Sequence, residues 1–389
     1  DVYKRQAAAG QQSSIRHNQD ARSRDTVSDT TLSGIMLTTK QMSFQISARR
    51  QDIDMAKGLA IILVVFGHIV ARQDPAQVQW YEPLRRAIYA FHMPFFLYLS
   101  GFVAAASGFL GRGRAGFGDA LKRRAQRLLL PFFALGLLIL AGKLVAARFI
   151  AVDNTPPSLE AGLVGLFWHT EASPALSVWY LFVLFVLVLA TRWALDGQIE
   201  RLANLLALAL LAYWLPVPGY LYADRLTGYA PFFLLGALAG FAQASWERCL
   251  ARLWRPALLC LLAGLSVVAL CGQDWPQPFY MLPLGVISMP ALHGAMRTLR
   301  AQRARAALLA LGRASFAIYL GNTICIGLAK GMMLRLGSWN GRHFLLFAPA
   351  LMAAGLFGPI LCRAAWLLIQ DHGWPPLKPR MRHGHEPHS

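Results

Sequence analysis

Three ionisable side chains stand in apolar sequence where water cannot reach them cheaply. The run from Asp54 to His68 carries Lys57 and His68 on an otherwise hydrophobic helix pattern. Eleven positions separate these two, which in an α-helix is three turns with about 20° of offset and about 16 Å of rise. Both therefore face one side at different depths. Ionisable groups inside a membrane segment are costly and default to functional hypotheses. For Lys57 the plain alternative is an interfacial side chain snorkelling to the surface and paired with Asp54 three positions earlier. For His68 it is a buried polar residue bonded to a neighbouring helix. As a functional group, His68 suits a general base, because neutral imidazole takes a proton near pH 7.

A second apolar run opens Tyr89-Ala90-Phe91-His92-Met93-Pro94 and continues to Ser100-Gly101-Phe102. Running back across the membrane, it brings His92 near the depth of His68. Pro94 and the Ser100-Gly101 pair allow a bent helix or a close backbone approach, either of which opens polar space between helices. A third run is preceded by Lys122-Arg123-Arg124-Ala125-Gln126-Arg127. Such a cluster is often a topology signal. Arg124 and Arg127 lie one helical turn apart, however, and can present two guanidinium forks to phosphates.

The elements that must position these groups are membrane helices. The chain has 389 residues, 56% hydrophobic and 15% charged, far below the roughly 25% charged residues of soluble domains. Apolar runs long enough to cross a bilayer predict an all-α, polytopic membrane protein of about ten spans, near 54–72, 88–110, 128–150, 174–195, 202–218, 228–244, 254–271, 278–296, 306–329 and 343–369. The fifth and sixth are short. Residues 1–53 read as a disordered cytoplasmic tail, in part an artefact with Met36 or Met42 as the start, and residues 371–389 as a second cytoplasmic tail. The basic loops 111–127 and 297–305 place both termini in the cytoplasm. The loop 151–173 then faces the other side and holds a short interfacial helix. A net charge of +19 is spread over span ends rather than gathered with aromatics, so nucleic acid is not the expected partner. The five cysteines show no metal-ligand spacing, and no metal is expected. No internal repeat suggests a transporter built by inversion.

These passages together resemble the acyltransferase 3 family, the membrane O-acyltransferases that decorate bacterial surface glycans, and especially its fucose 4-O-acetylase-like branch. The resemblance spans about 54–370. It rests on Asp-x-x-Lys-Gly at 54–58 leading to Gly67-His68, on Phe-His-Met-Pro-Phe-Phe with Ser-Gly-Phe, and on Arg-x-x-Arg before Leu-Leu-Leu-Pro. Weaker echoes are Val178-Trp179-Tyr180-Leu181, Pro231-Phe232-Phe233-Leu234-Leu235-Gly236 and Ser315-Phe316-Ala317-Ile318-Tyr319-Leu320.

The resemblance implies a multi-pass protein of the bacterial inner membrane that moves an acetyl group from cytoplasmic acetyl-CoA to a sugar hydroxyl of a surface or lipid-linked glycan. Lys57 and His68, with Asp54, are then the catalytic set. Arg124, Arg127 and Lys57 receive the CoA phosphates, and His92, Ser100, Trp179 and Asn322 face the acceptor. Where many relatives carry a late histidine after Ile-Tyr-Leu, this chain has Gly321-Asn322, and Asn322 is its hydrogen-bonding substitute. The competing reading of the same intramembrane charges is a transporter or flippase of an acyl or glycan-linked substrate; a third is a scaffold for a polysaccharide synthase, for which His68 is dispensable.

Overall fold

The structure, a computed structural model, describes residues 51–70, 77–149, 152, 154–175 and 177–373. The expected N-terminal tail before residue 51, the alternative starts and the C-terminal segment beyond 373 lie outside the described residues. The chain divides into residues Asp1–Ile53 and Asp54–Ser389. In the first unit the described residues 51–53 are helical; all that follows concerns the second.

Helix α1 (54–68) is followed by α2 (Tyr81–Tyr89), α3 (His92–Ala106), α4 (Phe117–Arg124), α5 (Leu130–Ala146), α6 (Leu159–Phe167) and α7 (Trp179–Leu195). Then come α8 (Arg201–Tyr213), α9 (Ala223–Phe241), α10 (Gln243–Cys271), α11 (Gln277–Thr298), α12 (Gln302–Met333) and α13 (Gly341–Gly373). Among the described residues no strand forms; one isolated bridge joins His169 and Tyr220. The all-helical expectation holds.

Six helical stretches are long and apolar enough to cross a membrane among the described residues: Tyr81–Ala106, Phe117–Ala146, Gln243–Asp274, Gln277–Thr298, Gln302–Met333 and Gly341–Gln370. That is fewer than ten. The expected fifth span is the 13-residue α8, about 20 Å long against the roughly 30 Å hydrocarbon layer. The 17-residue α7 is apolar but also short of that group. The helix foreseen in the loop after α5 is α6, capped by the Ser158 hydroxyl, which accepts from the Ala161 amide at 3.1 Å.

Helix α3 is apolar on every face, and its stretch is 78% buried, whereas that of α10 is only 17% buried. A helix that is apolar all round belongs in a core or against lipid. Here α3 takes the core, and α10, with Leu259 and Leu270 exposed, takes the periphery.

Glycines set the two closest contacts. A methyl at Gly58 would overlap the Leu308 carbonyl, and one at Gly312 would overlap the Asp54 carbonyl, so α1 and α12 touch backbone to backbone and run parallel. Gly101 and Gly240 of α3 and α9 meet Phe233 and Phe102 in the same way, while Gly236 meets Tyr98, and α3 and α9 are likewise parallel. Small residues permit such approach where lipid offers no hydrophobic drive for association. The pairing aligns Asn322 of α12 with His68 of α1, and the start of α9 with the start of α3.

Candidate functional site

The continuous helix of α1 carries Lys57 at one end and His68 at the other, so the candidate residues form two clusters. At the first, Lys57 Nζ lies 3.7 Å from Asp54 Oδ1 and close enough to Arg127 for their charges to act on one another. Arg127 sits in a π-helical turn, Ala125–Leu129, inserted between α4 and α5. Such turns are rare and concentrate at functional sites. The wider turn changes the phase expected of Arg-x-x-Arg: Arg127 lies over the Phe316 ring at 5.9 Å, while Arg124 lies over Phe109 at 4.3 Å.

Sequence reasoning missed the third cation. Arg192 of α7, 2% exposed, covers the same Phe109 ring at 4.7 Å. Its Nε donates to the Gly113 carbonyl at 2.8 Å and Nη2 to the Ala115 carbonyl at 2.5 Å. This holds the turn before α4, where Gly113 has φ of 57°. Arg124 is near enough to both Arg127 and Arg192 to be repelled by them. A surplus of cations stacked on aromatic rings and held on backbone carbonyls is a ready site for a polyanion. The signal for Arg192 was its place in the apolar run of α7, where a charge is expensive.

At the second cluster, His68 Nδ1 is 2.7 Å from Asn322 Oδ1. The Asn322 amide nitrogen donates to the Ile318 carbonyl at 2.9 Å and the Tyr319 carbonyl at 2.8 Å. Those two carbonyls only accept, so the nitrogen faces them and the oxygen faces the imidazole and accepts from Nδ1–H. Nε2 then keeps its lone pair, as a proton acceptor requires. His92, buried at 7% exposure, donates from Nδ1 to the Ile88 carbonyl at 2.9 Å and lies within charge-interaction range of His68.

Tyr89 joins the two histidines. Its ring stacks on His92 at 4.9 Å, its hydroxyl donates to the Gly67 carbonyl at 2.9 Å, and a methyl at Gly67 would strike its ring. The Gly67-His68 pairing thus has a steric cause. Ser100 donates to the Phe96 carbonyl at 3.0 Å and meets the Tyr180 hydroxyl at 2.7 Å, which makes it a tie between α3 and α7. Tyr319 closes the circle by donating to the Ser177 carbonyl.

Trp179 lies at the rim of this cluster. Tyr229 stacks on it at 4.9 Å, and the Arg225 guanidinium lies over it at 5.5 Å. In the preceding loop, burial pushes the Tyr222 phenol up to about 12; it stays protonated and donates to the Leu166 carbonyl at 3.0 Å.

The structure therefore brings His68, His92, Ser100, Trp179 and Asn322 to one end of α1, and Asp54, Lys57, Arg124 and Arg127 to the other. Asn322 is engaged by His68 directly.

The acyltransferase 3 family, described as an acyltransferase domain, matches residues 50–364. Nodulation protein NolL of Sinorhizobium fredii (strain NBRC 101917 / NGR234) is 29% identical over 359 residues, covering 84% of this chain and 91% of that protein. Nodulation protein NolL of Mesorhizobium japonicum (strain LMG 29417 / CECT 9101 / MAFF 303099) is 29% identical over 242 residues, 60% of this chain and 58% of that protein. No solved structure matches the chain. A family match over most of the sequence, on a helical bundle with six apolar helices of membrane-crossing length, identifies this chain as a member of the acyltransferase 3 family and a membrane acyltransferase.

Proposed function

We propose that this protein is an O-acetyltransferase that moves acetyl from acetyl-CoA, bound at the Lys57 end, to a sugar hydroxyl of a surface or lipid-linked glycan, bound at the His68 end. The observation that carries the reading is the Asn322-oriented imidazole of His68, one helix length from the cluster of Lys57, Arg124, Arg127 and Arg192. The CoA phosphates meet Arg124, Arg127 and Lys57, with Asp54 holding the lysine, and the pantetheine arm reaches along α1 toward His68.

His68 Nε2 takes the proton of the acceptor hydroxyl as that oxygen attacks the thioester carbonyl. When the tetrahedral intermediate collapses the C–S bond breaks, and the imidazolium returns its proton to the departing thiolate. Asn322, by accepting from Nδ1–H, keeps the tautomer in which Nε2 is basic. His92 and Trp179 face the acceptor, while Ser100 keeps α3 and α7 in place around it. The reading takes the protein to span a bacterial inner membrane about ten times, with both termini and the Lys57 end in the cytoplasm.

The test is transfer by purified protein in detergent. Labelled acetyl should pass from acetyl-CoA to a glycan in wild type and fall below about one hundredth in His68→Ala, with the variant equally folded. Transfer at the wild-type rate in His68→Ala contradicts the assignment.

A further inference from the structure

Around Trp179 the structure gathers groups that neither the motifs nor the transfer chemistry require. Arg225 and Tyr229 are four residues apart on α9, so both project from one face of that helix onto the Trp179 ring. The Arg225 guanidinium lies near enough to the Tyr229 hydroxyl for the two to interact electrostatically. Arg225 Nε also meets Asp224 Oδ2 at 3.1 Å. Trp179 is half-buried and the Arg225 side chain is 42% exposed, while Tyr229 is buried, so the assembly is open at Trp179 and Arg225.

Its location connects it to the histidines. Tyr89, whose ring stacks on His92 and whose hydroxyl holds the Gly67 carbonyl, lies within charge-interaction range of both Arg225 and Tyr229. Trp179 is followed directly by Tyr180, which bonds Ser100 and packs on the Tyr319 ring at 5.3 Å. The platform therefore borders the His68–His92 pair, at the end of α1 opposite Lys57.

Its charge narrows what it can receive. The basic end brings Arg124, Arg127 and Arg192 together beside the Lys57–Asp54 pair, a set suited to phosphates. At the platform, Arg225 is matched by Asp224 in direct contact, so the pair offers donors and an acceptor with no net charge. The open part of the Trp179 ring, with the buried Tyr229 stacked on it, can take the apolar CH face of a pyranose, and the carboxylate–guanidinium pair can hydrogen-bond its hydroxyls. An anionic sugar would find its attraction to Arg225 offset by Asp224.

Resting on the acetyl-transfer reading above, we propose that Trp179, Tyr229, Arg225 and Asp224 form the specificity subsite for the acceptor, and that it selects an uncharged pyranose over an anionic one. The experiment uses full-length protein in detergent with labelled acetyl-CoA and two kinds of soluble acceptor, p-nitrophenyl hexosides and p-nitrophenyl glucuronide. Wild type should acetylate neutral hexosides with a kcat/KM about tenfold or more above that for the glucuronide. Arg225→Ala should raise the hexoside KM about tenfold with the acetyl-CoA KM unmoved. Asp224→Asn, a nearly isosteric change that leaves Arg225 uncompensated, should shift the preference toward the glucuronide.

Equal or better use of the glucuronide by wild type overturns the proposal. So does an unmoved hexoside KM in Arg225→Ala, or a wild type that binds acetyl-CoA and acetylates no neutral hexoside. Arg225→Gln, which keeps most of the side chain's length and removes its charge, gives a second variant should Arg225→Ala fold poorly, and an unmoved hexoside KM there overturns the proposal equally. Failure of wild type to bind acetyl-CoA at all is a different result, and it sinks the functional reading beneath this one.

Discussion

The two ends of α1 solve opposite problems. At the Lys57 end, cations outnumber acids: Arg124 and Arg192 share the Phe109 ring, Arg127 is carried by a π-helical turn, and mutual repulsion is offset by aromatic faces and backbone carbonyls. At the His68 end charge is scarce and orientation dominates. Histidines there are held through Nδ1 by a neutral amide and by a carbonyl, and on the rim Arg225 is paired with Asp224 and Arg85 with Glu82. On the function proposed above, one apolar bundle holds a site for a polyanion and a site for proton transfer, kept apart by a helix length. Coulomb attraction that suits phosphates would disturb a neutral imidazole held in one tautomer.

The strongest way to break this division is His68→Ala. Transfer should fall by about 10²- to 10⁴-fold while acetyl-CoA still binds, as measured by titration calorimetry on the variant; loss of donor binding with it would merge the two ends. Asn322→Ala should lower kcat about 10- to 100-fold, since the imidazole loses the partner that sets its tautomer, and leave both KM values near wild type. A rise in acceptor KM instead would return Asn322 to substrate contact.

Arg127→Ala sharpens the other end. Losing one charge-assisted contact should raise the acetyl-CoA KM about tenfold with the acceptor KM unmoved in steady-state kinetics. An Arg127→Ala enzyme with wild-type donor KM would detach the π-helical turn from donor binding. Smallest is Ser100→Ala. Removing the tie between Phe96 and Tyr180 should cost about 1 kcal/mol of stability, seen as a modest drop in melting temperature, with kcat changed by less than about fivefold; a far larger loss of kcat would place Ser100 among the reacting groups.

Much of the His68 end was legible because it is local. Lys57 and His68 share one helix, so their phase follows from their separation, and Gly67 and His92 sit in short motifs. Asn322 was visible only as a residue standing where relatives carry another. Its bond to His68 depends on α1 and α12 meeting at Gly58 and Gly312, a tertiary fact. Arg124 and Arg127 were found as a pair, but their divergence was not, since residue spacing assumes an α-helical turn and the π-helical turn rotates one from the other. Arg192, Arg225 and Tyr229 carried weak signals, a charge or phenol in or beside an apolar run, and their meaning emerged only when α7 and α9 packed together. The span count was read from hydropathy; six helical stretches among the described residues have the length and apolarity to cross, and α8 has 13 residues.

The separation of the ends is tested most directly by sidedness. With protein reconstituted in one orientation into sealed liposomes, labelled acetyl-CoA is supplied from either compartment in turn and the acceptor glycan from the opposite one. The account predicts acetylated glycan when acetyl-CoA is on the face exposing Lys57 and Arg127 and the glycan is on the face exposing Trp179 and Arg225, and essentially none in the reverse arrangement. Equal transfer from both arrangements, or glycan crossing the membrane without acetylation, would contradict it.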